Sequence, residues 1–312
     1  MRNLDIIKRS KLYVSISAVF VVLSLGVLFT KGLNYGIDFS GGNLFQMKFQ
    51  EVIDLPKVNT KLDEIAREIP QLDSRSRKVQ ISEENTVIIR TQEMTEEVKE
   101  QFVEKMKGMG EYSLEKTEKV GASVGKDLKN AALYSIIIGS ILITLYITLR
   151  YEFKFAIGAI LTLIHDVVIA LGVIALLGYE INTEFIAATL TILGYSINDT
   201  IIIYDRIREK LKEKEKRGAT FGEILNISLN DVMVRSINTS VTTLLAGVAI
   251  LIFGGDSLKT FIVTLMVGIL AGSYSSIFVA APLVYLMDKD RDGKGTIEFK
   301  DEDEDYEEKI VV

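Results

Sequence analysis

Charged and polar side chains inside long apolar stretches are the residues best suited to chemistry in this sequence. An ionisable group at the middle of a bilayer costs about 3 kcal/mol on insertion scales, so its presence there needs a reason. Ionisable residues at such depth are typical of pathways for protons or other ions. The residues in or next to such positions are His165, Asp166, Asn198, Asp199 and Arg235.

Asp199 is the strongest candidate for proton carriage. A carboxyl group in a low-dielectric environment binds a proton more readily than one in water, and a nearby guanidinium opposes this. A conformational change that moves Arg235 relative to Asp199 would therefore load or release a proton. We predict a proton-coupling site at Asp199 and Arg235, with Asp166 and Asn198 as weaker members.

Structural roles compete with this interpretation at the other charged positions. Arg235 stands at the start of an apolar stretch, where a long side chain can reach the interface. We expect His165 to be a satisfied hydrogen-bond partner rather than a proton carrier. Asp166 can simply hold two helices together, because it belongs to a stripe of small or polar residues at four-residue spacing: Gly158, Thr162, Asp166 and Ala170.

A second stripe of small residues repeats this spacing near the end of the chain, at Gly268, Gly272, Ser276 and Ala280. Small residues four apart lie on one face of a helix and let a neighbouring helix approach closely. We predict helix packing rather than chemistry for Gly268, Gly272 and Ser276.

Six apolar stretches must position these residues. A bilayer core about 30 Å thick needs about 20 apolar residues of helix. The chain is 48% hydrophobic and 25% charged, and the charge is segregated from the apolar stretches. We therefore predict an α-helical polytopic membrane protein with six transmembrane helices, at about 12–30, 131–149, 155–178, 185–205, 237–254 and 260–287.

Lys and Arg in the short connections predict the orientation. Basic residues crowd the N-terminus and the segment 206–217, whereas the connections 178–184 and 254–259 carry one between them. By the positive-inside rule, both termini lie in the cytoplasm of a multi-pass protein of the cytoplasmic (inner) membrane. The segment 31–128, between the first two helices, is then extracytoplasmic.

The segment 31–128 has the pattern of an α+β domain. Strands are predicted at 43–49, 78–81, 86–90 and 113–120, and helices at 56–69 and 95–109, with Thr95 as an N-cap. The order βαββαβ is that of the ferredoxin-like fold. Such a fold hosts many functions and names none by itself.

Two further segments complete the predicted domain organisation of 1–30, 31–128, 129–287 and 288–312. The connection 206–234 is basic and amphipathic, which predicts one cytoplasmic helix lying on the membrane surface and contacting lipid. The tail 288–312 is acidic, and we expect it to be disordered rather than to bind calcium. Its residues Asp290–Asp301 resemble an EF-hand loop, but Lys294 and Asp301 replace two ligands.

No motif supports an enzyme, a cofactor or a metal site. The chain has no cysteine and one histidine, which excludes disulfides and clusters of cysteine or histidine ligands. Gly121–Asp127 is one residue too short for a phosphate-binding loop and carries Asp in place of Ser or Thr. We expect no enzymatic activity and no nucleic-acid partner.

Several motifs, in order and at matching topological places, resemble the SecD/SecF family of protein-export subunits within the RND superfamily of exporters. The likeness covers about residues 1 to 287 and is strongest with the smaller of the two subunits. It includes the pair His165-Asp166 and is carried by Tyr35–Gly42 (YGIDFSGG), Val120–Gly125 (VGASVG), Leu193–Thr200 (LGYSINDT), Tyr204–Glu209 (YDRIRE), Arg235–Ser240 (RSINTS) and Tyr274–Ala281 (YSSIFVAA).

The resemblance implies a membrane domain that forms one RND-like half and pairs with a similar half of SecD. It also implies use of the proton gradient to promote translocation of a polypeptide through the SecYEG channel. Asp199 and Arg235 match charged positions that the family uses in proton coupling.

Two other functions remain open at this point. The chain can be a purely structural subunit that organises SecD and the channel, since small-residue stripes are present and catalytic motifs are not. It can also be half of an RND-type exporter of small molecules, although such exporters usually combine two membrane halves and two outer domains.

Overall fold

A computed structural model describes residues 4–82, 85–214, 219–255 and 258–288. Within these ranges, six helical segments are long and apolar enough to cross a membrane, which confirms the predicted number. The helices are α1 (Ser10–Lys31), α2 (Ile37–Ser40), α3 (Leu55–Ala66), α4 (Glu96–Met106), α5 (Ala122–Arg150), α6 (Phe153–Leu177), α7 (Thr183–Lys214), α8 (Phe221–Phe253), α9 (Lys259–Ser275) and α10 (Ala281–Met287).

The chain forms two compact units. The helical unit contains the described residues up to Leu33, those of 136–179, and those from Glu184 onward. The sheet unit contains 34–135 together with 180–183. Its six strands are β1 (Asn34–Tyr35), β2 (Gly42–Phe49), β3 (Lys78–Ile81), β4 (Thr86–Thr91), β5 (Tyr112–Val120) and β6 (Glu180–Ile181).

Helix α6 is the central element of the helical unit and packs against α1, α9 and α10. Its contact with α1 depends on small residues, because Ser10, Ser17 and Ser24 recur every seven residues and all three are buried. A Cβ atom added at Gly172 of α6 would stand 2.4 Å from Ser24 Cβ and 2.7 Å from Ser24 Cα. The two backbones therefore approach so closely that only glycine fits at position 172.

Replacing Gly172 with Ala is expected to destabilise the helical unit by about 1–3 kcal/mol, because α1 must move away from α6. The thermal unfolding midpoint of the detergent-solubilised chain measures this. Gly194→Ala is the matched control, since a Cβ at Gly194 of α7 meets no described atom within 4 Å. Equal midpoints for the two variants would contradict the predicted close contact.

The last membrane-crossing segment is not one regular α-helix. Between α9 and α10 it contains a π-helical segment, Ser276–Ala280, whose residues except Phe278 are buried. Pi-helical turns are rare and occur often at functional sites. Here the turn falls on the predicted small-residue stripe.

The sheet unit has the predicted ferredoxin-like arrangement. Its antiparallel four-stranded sheet has the order β3-β4-β2-β5, and α3 and α4 are the crossover helices. Alternate residues of β2 point into one core, where Phe45 meets Phe102 of α4 at a ring-centroid distance of 4.7 Å. Thr95 caps α4 as predicted, since its hydroxyl accepts a hydrogen bond from the Val98 N–H.

Residues of the YGIDFSGG motif fix the entry to two long helices. Asp38 Oδ2 accepts hydrogen bonds from the backbone N–H and the hydroxyl of Thr183, the first residue of α7. At the other end of the motif, Gly41 packs against Ala122, the first residue of α5. The short strand β6, which precedes α7, belongs to the sheet unit and pairs in parallel with β1.

The single surface helix predicted over 206–234 is wrong. Residues 206–214 continue α7 and residues 221–234 begin α8, and Ala219 and Thr220 between them are not helical. Thr220 and Glu223 form a capping box, which starts a new helix by satisfying its first N–H groups. The amphipathic pattern of this segment therefore reflects the packing of two helix ends. The acidic tail beyond Asp288 lies outside the described residues.

Candidate functional site

Asp199 is buried within the helical unit, near the middle of α7. Its side chain is 7% exposed, and its Oδ1 accepts a hydrogen bond of 2.6 Å from the Ser236 hydroxyl of α8. Its Oδ2 is also buried, and no described residue donates a hydrogen bond to it. Asp199 is thus a carboxyl group buried in a long apolar helix, with one oxygen hydrogen-bonded and the other without a described partner.

Arg235 and Asn198 do not join Asp199 in this buried contact. Asn198 is adjacent in sequence to Asp199, and Arg235 is adjacent to its partner Ser236, but successive helix residues point about 100° apart. Both side chains are exposed on the surface of the helical unit. Within the described part of the chain, no nitrogen of Arg235 comes within the 4.0 Å ion-pair distance of a carboxylate. The predicted pair Asp199 and Arg235 therefore lies on neighbouring helices without a direct ion pair.

Asp166 lies in a separate cluster on α6 and is fully buried. Its Oδ1 is 2.8 Å from His165 Nδ1. Its Oδ2 accepts hydrogen bonds from the hydroxyls of Ser196 on α7, at 2.6 Å, and Ser275 on α9, at 3.0 Å. The cluster thus ties three membrane-spanning helices together.

The second stripe of small residues lies against the same part of α7. A Cβ at Gly268 would be 2.2 Å from the side chain of Ile192, and one at Gly272 would be 3.1 Å from Ser196 Cβ and 3.4 Å from Asp166 Oδ2. The Ser276 hydroxyl is buried and lies 2.9 Å from that of Thr200. Helix packing at Gly268, Gly272 and Ser276 remains our interpretation, and these contacts are consistent with it.

The hydroxyl partners of the two carboxyl groups were not predicted. Ser236, Ser196 and Ser275 each donate to a buried Asp. All three lie inside or beside motifs noted above, but a serine in an apolar helix usually bonds the carbonyl four residues earlier. Only the packing of the helices shows which serines turn toward a carboxylate instead.

A metal centre has no support in the described ranges, where no three Asp, Glu or His side chains are grouped to hold an ion.

Two family models of known proteins match this chain. Residues 98–290 match the family "Protein export membrane protein SecD/SecF, C-terminal", and residues 26–51 match the "SecD/SecF GG Motif". The first match covers more than half of the chain. The chain belongs to the SecD/SecF family of protein-export membrane proteins.

Relatives within the SecD/SecF family cover nearly the whole chain. The protein translocase subunit SecF of Sebaldella termitidis is 47% identical over 286 residues, which are 91% of this chain and 92% of that protein. The SecF of Calditerrivibrio nitroreducens is 38% identical, over 91% of this chain and 94% of that protein. The chain is accordingly a multi-pass membrane protein of the SecF type, with a role in protein export.

A solved structure of SecDF from Thermus thermophilus, a translocon-associated membrane protein, is similar to the chain with a TM-score of 0.82 and 30% identity. The likeness covers 92% of this chain and 39% of that chain, so this chain spans about two fifths of the solved SecDF. A second structure, of SecDF in a super-membrane-facing form, gives a TM-score of 0.67 at the same identity.

Proposed function

We propose that this chain works with SecD and uses the proton gradient to promote translocation of polypeptides across the cytoplasmic membrane. The observation that carries the proposal is Asp199. Its carboxyl group is buried among membrane-spanning helices, with Oδ1 bound to Ser236 and Oδ2 buried without a described donor. A carboxylate kept at such a place is costly unless it binds a proton or a cation during the working cycle.

Pairing with SecD is supported by the polar groups that flank the contact between α7 and α8. Asn198, Arg235 and Asn238 are all exposed on the isolated chain. Amide and guanidinium groups facing lipid would lose hydrogen bonds that they make in water. A partner helix with polar side chains would satisfy these groups. In SecDF from Thermus thermophilus, the region similar to this chain is 39% of the whole, and the rest of that chain offers a precedent for such a partner.

The orientation that we propose puts both termini in the cytoplasm and the sheet unit outside, where it can contact the polypeptide in transit. It rests on the basic residues at the N-terminus and at 206–217. The same basic residues suit contact with anionic lipid headgroups. Association with the SecYEG channel is proposed because the similar SecDF is described as translocon-associated.

The test is export of a secretory polypeptide into vesicles containing SecYEG, SecD and this chain, with and without a proton gradient. In the chain with Arg235→Ala, we expect the gradient-dependent part of export to be lost, because the charge that offsets Asp199 is removed. Arg235→Lys should retain part of it. Thr239→Ala, an exposed neighbour one turn along α8, is the matched control.

This experiment also decides the alternative of a purely structural subunit. If the chain only organises SecD and the channel, Arg235→Ala leaves the gradient-dependent export at the level of the unchanged chain. Co-purification of SecD with each variant separates loss of coupling from loss of assembly.

A further inference from the structure

His165 is the only histidine of the chain, and its ring is only half satisfied. Its side chain is 6% exposed, and Nδ1 is held at 2.8 Å from Asp166 Oδ1. Its other nitrogen, Nε2, is buried and has no hydrogen-bond partner among the described residues. Leaving a buried polar atom unpaired costs about 1–3 kcal/mol, which a purely structural histidine would avoid. His165 thus has the hydrogen-bond partner that we expected, Asp166, and a second ring nitrogen without a described partner.

Both carboxylate oxygens of Asp166, in contrast, have hydrogen-bond partners. One oxygen faces the imidazole and the other accepts from Ser196 and Ser275. These bonds fix the orientation of the carboxylate, and through Nδ1 they fix the orientation of the ring. Beside an ionised Asp166, a neutral imidazole carries its proton on Nδ1, and the lone pair of Nε2 is then the basic site of the ring.

The charge of the pair favours uptake of a proton at that lone pair. With neutral His165 and ionised Asp166, the cluster holds one uncompensated negative charge in a low-dielectric interior. One added proton makes the pair neutral overall, and coupled groups of this kind bind the proton as a unit. In the described ranges, neither residue has an ion-pair partner other than the other one.

None of the described ionisable side chains on the helices around α6 forms an ion pair with His165 or Asp166. Tyr274 of α9 donates its hydroxyl to the Tyr13 carbonyl of α1, and Asp199 of α7 is held by Ser236 of α8. Tyr204 of α7 is buried against Gly158, one end of the stripe that contains Asp166. The others described on these helices are Lys11, Tyr13 and Lys31 on α1, Glu184, Tyr195, Asp205, Arg206, Arg208, Glu209, Lys210, Lys212 and Glu213 on α7, Lys259 on α9 and Tyr285 on α10.

We propose that His165 and Asp166 form a second proton-binding site, which takes up and releases one proton at His165 Nε2. On uptake an N–H bond forms at Nε2, the Nδ1–H continues to donate to Asp166, and the charge of the pair changes from −1 to zero. On release the proton leaves from the same atom. The site is separate from Asp199 and does not depend on proton coupling there.

The single histidine makes a direct test possible. The full chain, labelled with ¹⁵N only in histidine and reconstituted in lipid bilayers, gives two ring-nitrogen signals that both belong to His165. As the pH of the sample is lowered, we expect Nδ1 to stay protonated while Nε2 changes from unprotonated to protonated. An Nε2 that never gains a proton, or a neutral form protonated at Nε2, overturns the proposal.

Two variants identify the cause. In Asp166→Asn, the proton affinity of Nε2 should fall about tenfold or more, because the carboxylate that offsets the imidazolium is gone. In Asp199→Asn, the titration of His165 should be unchanged. An unchanged affinity in Asp166→Asn contradicts the coupled pair. A change caused by Asp199→Asn contradicts the independence of the two sites. If Asp166→Asn does not fold, the titration of the unchanged chain still decides the proposal.

Discussion

Replacing Asp199 with Asn is expected to abolish the gradient-dependent part of polypeptide export while leaving the gradient-independent part intact. Asn has nearly the shape of Asp and keeps an oxygen that can accept the hydrogen bond from Ser236. What it loses is the ability to bind and release a proton. The helix contact is therefore preserved and the proposed chemistry is removed.

The measurement is the rate of export into vesicles containing SecYEG, SecD and the variant, before and after a protonophore collapses the gradient. Asp205→Asn is the matched control, because it makes the same change in the same helix at an exposed position. The Asp205 variant should respond to the protonophore as the unchanged chain does. Gradient-dependent export that persists in Asp199→Asn would exclude this carboxyl group as the proton carrier.

Replacing Gly42 with Ala is expected to give the largest loss of stability in the sheet unit, at least about 2 kcal/mol. Gly42 has a φ of +123°, which residues with a side chain rarely adopt. A Cβ atom there would also stand 2.1 Å from the Thr91 carbonyl oxygen at the end of β4. Because β2 begins at this residue and pairs with both β4 and β5, strain here weakens both neighbours.

Hydrogen exchange of the backbone amides of β2, β4 and β5, measured on the full chain in lipid nanodiscs, reports this loss. Gly110→Ala separates the two causes, since Gly110 has a φ of +137° but no described atom within 4 Å of an added Cβ. We expect Gly42→Ala to accelerate exchange much more than Gly110→Ala. Similar rates in the two variants would show that the contact with Thr91 is unimportant.

The two adjacent glycines of the GG motif, Gly41 and Gly42, are explained by close backbone contacts. Its first glycine packs on Ala122 and its second on the Thr91 carbonyl. A Cβ at Gly125, one turn into α5, would in turn lie 3.1 Å from the Gly41 nitrogen. The two motifs that flank the sheet unit in the sequence thus meet at one place, where the start of a membrane-crossing helix joins the sheet.

The sequence by itself determined the number of membrane-crossing helices, the order of strands and helices along the sheet unit, and the family. These follow from local patterns, because lipid demands long apolar helices and a half-buried sheet demands alternating residues. Thr95 was identified as a cap for the same reason, since its partner lies three residues away. The prediction of one surface helix over 206–234 was wrong because the packed ends of α7 and α8 carry the same amphipathic pattern as a surface helix.

Only the tertiary structure shows which side chains contact the two buried carboxyl groups, Asp199 and Asp166. Asp199 and Arg235 were both recognised as unusual, yet neighbouring residues of α7 and α8 point in different directions, and Ser236 rather than Arg235 reaches the carboxylate. His165 and Asp166 are adjacent in sequence, but the serines that fix them come from residues 30 and 109 positions away. Such partners depend on which helices pack together and at what rotation, and no pattern within a single helix carries that information.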